Sequence, residues 1–204
     1  MIATSPCAAT IIWSGPVVEL IPLLLPMEDT QWHGGLIKLE RIVERHREGL
    51  RAVCDPSDPV WEIYPANWSG DGFDPSFDEM LNSQDRYAFT ITLGGVEIGT
   101  TSLINLKLNQ QTLEIGGTYL AMDARGTGLN SRVKKLLLNR AFACGVRRVE
   151  FRVDDRNKRS QSAVLKLGCT REGLLRADRI TWTGHVRDTV LFSILAAEWK
   201  AKQI

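Results

Sequence analysis

Arg125-Gly126-Thr127-Gly128 is the segment of this 204-residue chain best equipped for chemistry. An apolar run, Tyr119-Leu120-Ala121-Met122, leads towards it, and Leu129-Asn130 opens a helical pattern directly after it. A strand that turns on two glycines into a helix aims successive backbone N–H groups, and the positive end of the helix dipole, at one spot. Such a spot takes phosphate or pyrophosphate. A plain strand-to-helix turn explains the same four residues. The segment is too short for a P-loop and does not follow the G-x-G-x-x-G dinucleotide pattern.

The elements around the turn must hold it open. Tyr87–Leu93, Val96–Leu108 and Thr112–Leu120 read as strands, with Leu93-Gly94-Gly95-Val96 a tight hairpin signal and Asn109-Gln110-Gln111 a looser turn. A helix is expected from about Gly128 to Cys144, burying Leu129, Val133, Leu136, Leu137, Ala141 and Cys144 and stopped by Gly145. Arg148–Asp154 alternates as a strand. A shorter helix turns Ala163, Val164 and Leu167 inward and ends at Gly168, and strands follow near Arg171–Ala177 and Thr189–Leu195. Upstream, residues 1–15 read as a flexible leader before a single domain over 16–204. Val17–Leu25 reads as an edge strand because of Pro22. Trp32, Leu36, Leu39, Val43, His46 and Leu50 fall at helical steps, with His46 a core or boundary residue rather than a catalyst. The whole is a mixed α/β fold with helices covering a sheet.

Composition bounds the function. The net charge is +1, with 44% hydrophobic residues, which disfavours a dedicated nucleic-acid binder. The average hides an asymmetry. Residues 52–85 hold eight acids and no Lys or Arg, while residues 121–188 hold 16 Lys/Arg against seven Asp/Glu. Cys7, Cys54, Cys144 and Cys169 form no C-x-x-C pair and no zinc spacing. Free thiols, no metal and a cytoplasmic location are the expectation. Residues 55–85 are too aromatic for a disordered linker (Trp61, Tyr64, Trp68, Phe73, Phe77) and read as a long ordered loop with one short helix near Phe77–Leu81.

Downstream, Asp155-Arg156-Asn157-Lys158-Arg159-Ser160 leads into Leu167-Gly168-Cys169, and the chain closes on Arg187-Asp188-Thr189-Val190-Leu191-Phe192-Ser193-Ile194-Leu195 with Glu198-Trp199. R-G-x-G at a strand end, then N-x-x-S before a helix ending in L-G, resembles the GNAT superfamily of acyl-CoA-dependent N-acyltransferases. Within it the chain is similar to the branch of ribosomal-protein alanine N-acetyltransferases. The resemblance spans roughly residues 16–200. It implies a mainly antiparallel sheet of about six to seven strands with helices on both faces. It implies acetyl-CoA as co-substrate, an amine acceptor such as a protein N-terminus, and a possible homodimer. The coenzyme diphosphate then falls on Arg125, Gly126, Thr127, Gly128, Leu129 and Asn130. The pantetheine arm falls on the splayed strand end through Leu120, Ala121 and Met122. Asn130 departs from the small residue often found there, although an amide still donates to a phosphate. Lys134, Lys135, Lys158 and Arg159 are candidates for the outer phosphate or simply solvated.

Asn157 suits a helix N-cap with Ser160 at the third helical position. The resemblance implies instead that Asn157 contacts the coenzyme arm and that Ser160 bonds the sulfur and protonates the departing thiolate. Direct attack needs a neutral amine. At pH 7 a lysine of pKa ~10.4 is neutral about once in 2,500 molecules, and an α-amine of ~7.8 about once in seven. Glu114 is the leading base, with a surface carboxylate as its bland reading. Tyr119 lines the reaction centre or packs. The 55–85 loop either draws a cationic acceptor through Asp58, Glu62, Asp71 and its aromatics, or packs those rings into a satellite core. A non-catalytic acyl-CoA sensor and a docking protein that uses the loop are the rival functions. Thiol release with an amine panel excludes the first, and absence of coenzyme affinity supports the second.

Overall fold

The computed structural model describes residues 18–29 and 35–202. The proposed leader, Val17, Trp32 and Cys7 lie outside them. One eight-stranded sheet has the order β1-β2-β3-β4-β5-β6-β8-β7. Its strands are β1 Met27–Asp29, β2 Ile37–Arg41, β3 Arg86–Leu93, β4 Val96–Lys107, β5 Thr112–Leu120, β6 Arg148–Asp154, β7 Thr170–Ile180 and β8 Val186–Leu195. Every neighbour pair is antiparallel except β5 with β6. The helices are α1 Leu20–Leu24, α2 Arg47–Val53, α3 Phe73–Asn82, α4 Leu129–Ala143, α5 Lys158–Lys166 and α6 Ala196–Ala201. None among the described residues is long and apolar enough to cross a membrane.

Two cores lie on opposite faces of the sheet. Leu23, Val133, Leu137, Val164 and Trp199 from α1, α4, α5 and α6 pack on Phe89, Leu113, Ile115, Phe151 and Phe192. Leu50, Phe73, Phe77 and Met80 from α2 and α3 pack with Trp61 and Trp68 on Ala88 and Tyr119. Ala88 and Phe89 are consecutive and serve different cores, as strand alternation requires.

Two expectations at the N-terminal end need correction. Leu20–Leu24 is a helix, not an edge strand. Pro22 falls in its first turn, where a missing N–H costs nothing. The helical stripe through Leu36, Leu39 and Val43 is not a helix either. Ile37-Lys38-Leu39-Glu40-Arg41 is β2, with Ile37 and Leu39 fully buried. The same spacing fits period two once Leu36 and Val43 are seen to be exposed. The helical turn resumes only at Glu44–His46 and α2. Losing one expected strand and gaining β1 and β2 takes the sheet to eight. His46 is a buried clamp. Its Nδ1 accepts from Val43 N (3.1 Å), so its proton sits on Nε2, 3.0 Å from Glu40 Oε1.

Candidate functional site

The glycine turn is open main chain. Gly126 has φ +78° and Gly128 φ +92°, the left-handed region that strains a side chain. A Cβ on Gly126 would meet nothing within 4 Å. The Thr127 hydroxyl donates to Ala124 O (2.9 Å) and accepts from Leu129 N (3.4 Å), which fastens the loop to the first turn of α4. Among the described residues no hydrogen bond engages the N–H of Gly126, Thr127 or Gly128. These donors gather at the N-terminus of a 15-residue helix. Asn130 buries its Oδ1 without a hydrogen-bond partner; as an acceptor that oxygen gives nothing to a diphosphate. Free amides, a helix dipole and open access fit a diphosphate.

Beside the turn the sheet parts. β5 and β6 pair at Thr112↔Arg148, Leu113↔Val149 and Glu114↔Glu150. Both then continue, to Leu120 and Asp154, with no further rung between them among the described residues. The notch holds unpaired strand edges suited to an extended amide-bearing ligand. Some groups on its rim are already used. Leu120 O accepts from Arg125 Nε (2.7 Å). Ala121 N donates to Ile98 O (2.8 Å), and Met122 O accepts from Arg125 N (3.2 Å). Leu120 and Ala121 are buried and Met122 is exposed.

Asn157 and Ser160 follow directly on the end of β6. Asn157 Oδ1 accepts from Ser160 N (2.9 Å), so the capping pattern is real. The cap uses the Ser160 amide, and its hydroxyl makes no hydrogen bond among the described residues. Glu114 reaches the notch from the other strand. Opposite Thr101 of β4, β5 spends two residues, Gly117 and Thr118, a bulge with Gly117 at φ +56°. Before the bulge Leu113 and Ile115 face the α4 core, and after it Tyr119 faces the other core. Glu114 and Tyr119 therefore share a face. Glu114 Oε2 accepts from Asn105 Nδ2 (3.2 Å) and lies 3.6 Å from Arg152 Nε. Its Oε1 leans over Gly116, 3.0 Å from where a Cβ would stand. Burial raises the carboxyl's pKa, against the pull of Arg152, Arg179 and Asn105. Among the described residues no hydrogen bond joins Glu114, in the paired part of β5, to Ser160, in the first turn of α5.

The Arg125 side chain points away from the turn. It grips Asp58 with both terminal nitrogens, Nη1 to Oδ1 at 3.0 Å and Nη2 to Oδ2, and covers the Tyr119 ring at 5.2 Å. The main-chain N–H of Arg125 already donates to Met122 O (3.2 Å), so the free donors of the turn are those of the residues after it. Asp58 is buried, caps the turn at Pro59–Glu62 through Val60 N (3.0 Å), and lies 3.4 Å from the Tyr119 hydroxyl. Tyr119 stacks on Trp61 (centroids 4.6 Å) and donates to Val53 O (2.7 Å). The loop aromatics do form a satellite core: Trp61 and Trp68 are each 3% exposed. Three of the loop's eight acids, Asp58, Asp74 and Asp78, are held in ion pairs. Arg47 pairs with Asp74 and Asp78, and Arg51 with Asp74. The Asp58–Arg125 pair had no local signal, since 67 positions separate its members.

Lys134 was legible and missed. It stands three and four positions before Leu137 and Leu138 on the buried stripe of α4. Instead of reaching an outer phosphate it is 5% exposed, with Nζ 3.4 Å from Thr118 Oγ1 and 5.4 Å from the Phe151 ring. Burial pushes its ammonium down to about 8. The unfolded chain keeps that proton to about 10.4. Between these values the folded state binds fewer protons, so stability rises with pH across the window. Lys134→Met is therefore expected to gain about 3 kcal/mol at pH 7. The gain should shrink steadily above pH 8. Denaturant melts at pH 7 and pH 10 check it, and equal gains at both would contradict the assignment.

Residues 37–170 match the acetyltransferase (GNAT) domain model. Among solved structures, a T. thermophilus protein described as an inferred acetyltransferase shares 30% identity at TM-score 0.74, covering 87% of this chain and 93% of its own. A GCN5-related N-acetyltransferase from Brucella melitensis shares 24% at TM-score 0.72, covering 86% and 84%. Mycobacterium smegmatis RimJ, solved with CoA-disulfide, shares 19% at TM-score 0.67, covering 87% and 93%. No match was found among curated proteins.

Proposed function

We propose that this chain, which belongs to the acetyltransferase (GNAT) domain family, transfers an acetyl group from acetyl-CoA to a primary amine in a ternary complex. The observation that supports it most is the set of unengaged amides at Gly126–Gly128, placed at the mouth of the β5/β6 notch. When bound, acetyl-CoA supplies the acetyl group in activated thioester form. The amides and the α4 dipole hold its diphosphate. The bare edges of β5 and β6 line its arm. The Ser160 hydroxyl holds a proton for the departing sulfur. Glu114 receives the proton that the amine gives up, its pKa raised towards neutrality by burial.

The acceptor is an amine at a peptide or protein N-terminus, or a small-molecule amine. The 55–85 loop forms its wall. Asp58 and Asp74 are paired internally, which leaves Glu62 and Asp71 as the candidate acids of that loop that attract a cation. Calorimetry with acetyl-CoA, followed by thiol release across an amine panel, tests the reading. Uptake with no release would leave a binding module, and no uptake would end the proposal. Ser160→Ala is expected to lower kcat about 10²-fold and to leave the coenzyme Kd unchanged. An equal loss in Kd would make Ser160 a packing residue.

A further inference from the structure

Beyond the notch, β6 and β8 carry two arginines that each bury an Nε without a hydrogen-bond partner. Arg187 is 3% exposed. Its recorded side-chain hydrogen bond is from Nη2 to Arg152 O (3.2 Å), and its Nε has none. Arg152, on the adjacent strand, makes no side-chain hydrogen bond among the described residues, and its buried Nε is likewise unmatched. Each guanidinium brings five donors. The carboxylates nearby stand back from Arg152: Glu114 at 3.6 Å, Asp178 at 3.8 Å and Glu150 at 3.9 Å. Asp154 is 3.8 Å from Arg187 Nε, but Arg156 already holds both its oxygens, at 3.0 and 2.8 Å. The Thr189 hydroxyl, fully buried two residues along β8 from Arg187 and opposite Asp154, has no hydrogen-bond partner either. A buried donor left unmatched is costly, and an oxygen ligand from outside that reached the two Nε–H groups would relieve that cost beyond what the four carboxylates at 3.6–3.9 Å supply.

The place is informative. Glu150, Arg152 and Asp154 alternate with the core residues Val149, Phe151 and Val153, so Arg152 faces the side of the sheet that carries Glu114. The turn after β7 closes over this side, where Trp182 Nε1 donates to Trp61 O (2.8 Å).

We propose that Arg152 and Arg187 grip a carboxylate borne by the acceptor, which makes the acceptor an amino-acid-like amine with an acidic group a few atoms from its nitrogen. This rests on the acetyl-transfer reading. Planar bidentate oxygens match guanidinium forks better than any neutral group. A carboxylate held there leaves the amine on the Glu114 side of the pair.

The test uses full-length protein with coenzyme A present. N-acetylglycine and N-acetylglycinamide, product-like probes that differ only in the carboxylate, are titrated by calorimetry. The arginine Nε–H signals are followed by ¹⁵N NMR. N-acetylglycine should bind about tenfold or more tightly than the amide and should move the Arg152 and Arg187 signals. Arg187→Lys and Arg152→Gln should each erase that preference, and the milder Arg152 change guards against misfolding at Arg187. Equal binding of the two probes, or unmoved signals, overturns the subsite while coenzyme uptake upholds the transfer reading. Carboxylate preference without coenzyme uptake overturns the transfer reading and with it the acceptor role. An N-acetylated dipeptide with aspartate second separates a peptide acidic group from a free amino acid.

Discussion

Asp58→Ala is expected to cost about 3–5 kcal/mol of stability, the usual penalty for stripping one partner from a buried ion pair. The Asp58 side chain is fully buried and that of Arg125 is 16% exposed. The lost aspartate would strand a guanidinium against Tyr119 and free the turn that Asp58 caps. Burial alone would raise the Asp58 pKa, but the Arg125 and Val60 hydrogen bonds outweigh it and the net shift is downward. A lowered folded pKa means the pair's stability is present above about pH 3.9 and fades as pH falls through the folded value. The effect reaches the glycine turn proposed to hold the coenzyme, because Arg125 begins it and also holds Leu120 O. Coenzyme affinity should therefore fall together with stability. Urea melts and calorimetry on Asp58→Ala, Arg125→Met and the double variant check this. The double variant should be less damaged than the sum of the singles, and strict additivity would deny the pair.

Glu114→Gln should lower kcat by about 10²–10⁴-fold, the range for losing a general base, with coenzyme affinity intact. The pH profile separates this from a packing defect. A base must be ionised to work, so the acid limb of kcat/KM should follow the raised Glu114 pKa and lie above the ordinary carboxylate value of about 4.3. In the variant that limb should vanish and residual rate should follow only the amine's own ionisation. An unchanged limb in Glu114→Gln would assign the proton transfer elsewhere. A shape defect would lower the rate at every pH alike.

The second half of the fold was readable because its signals are local. Arg148–Asp154 alternates cleanly and is a strand with those bounds. Gly128 and Gly145 bracket α4 within a residue. The first half failed where two periods share the same residues: Leu36, Leu39 and Val43 satisfy a helix, while Ile37 and Leu39 satisfy a strand. Only pairing with β3 decides between them. At the site, the turn and the Asn157 cap were legible for the same local reason. Which way Arg125 points was not, since Asp58 approaches it through the fold. The buried donors of Arg152 and Arg187 were hidden too, because a strand's outward face looks the same in sequence whether or not another segment closes over it.

The parting of β5 from β6 has a mechanical consequence. Three residue pairs are the whole seam between five strands on one side and three on the other. A sheet normally resists shear through its ladder of main-chain bonds, and here that ladder is almost missing midway across. What holds the two flanks together beyond Thr112–Glu114 is therefore side-chain packing, the shared core of Leu113, Ile115, Phe151 and Phe192 under α4. A guest lying along the seam becomes, for as long as it stays, the ninth strand of the protein.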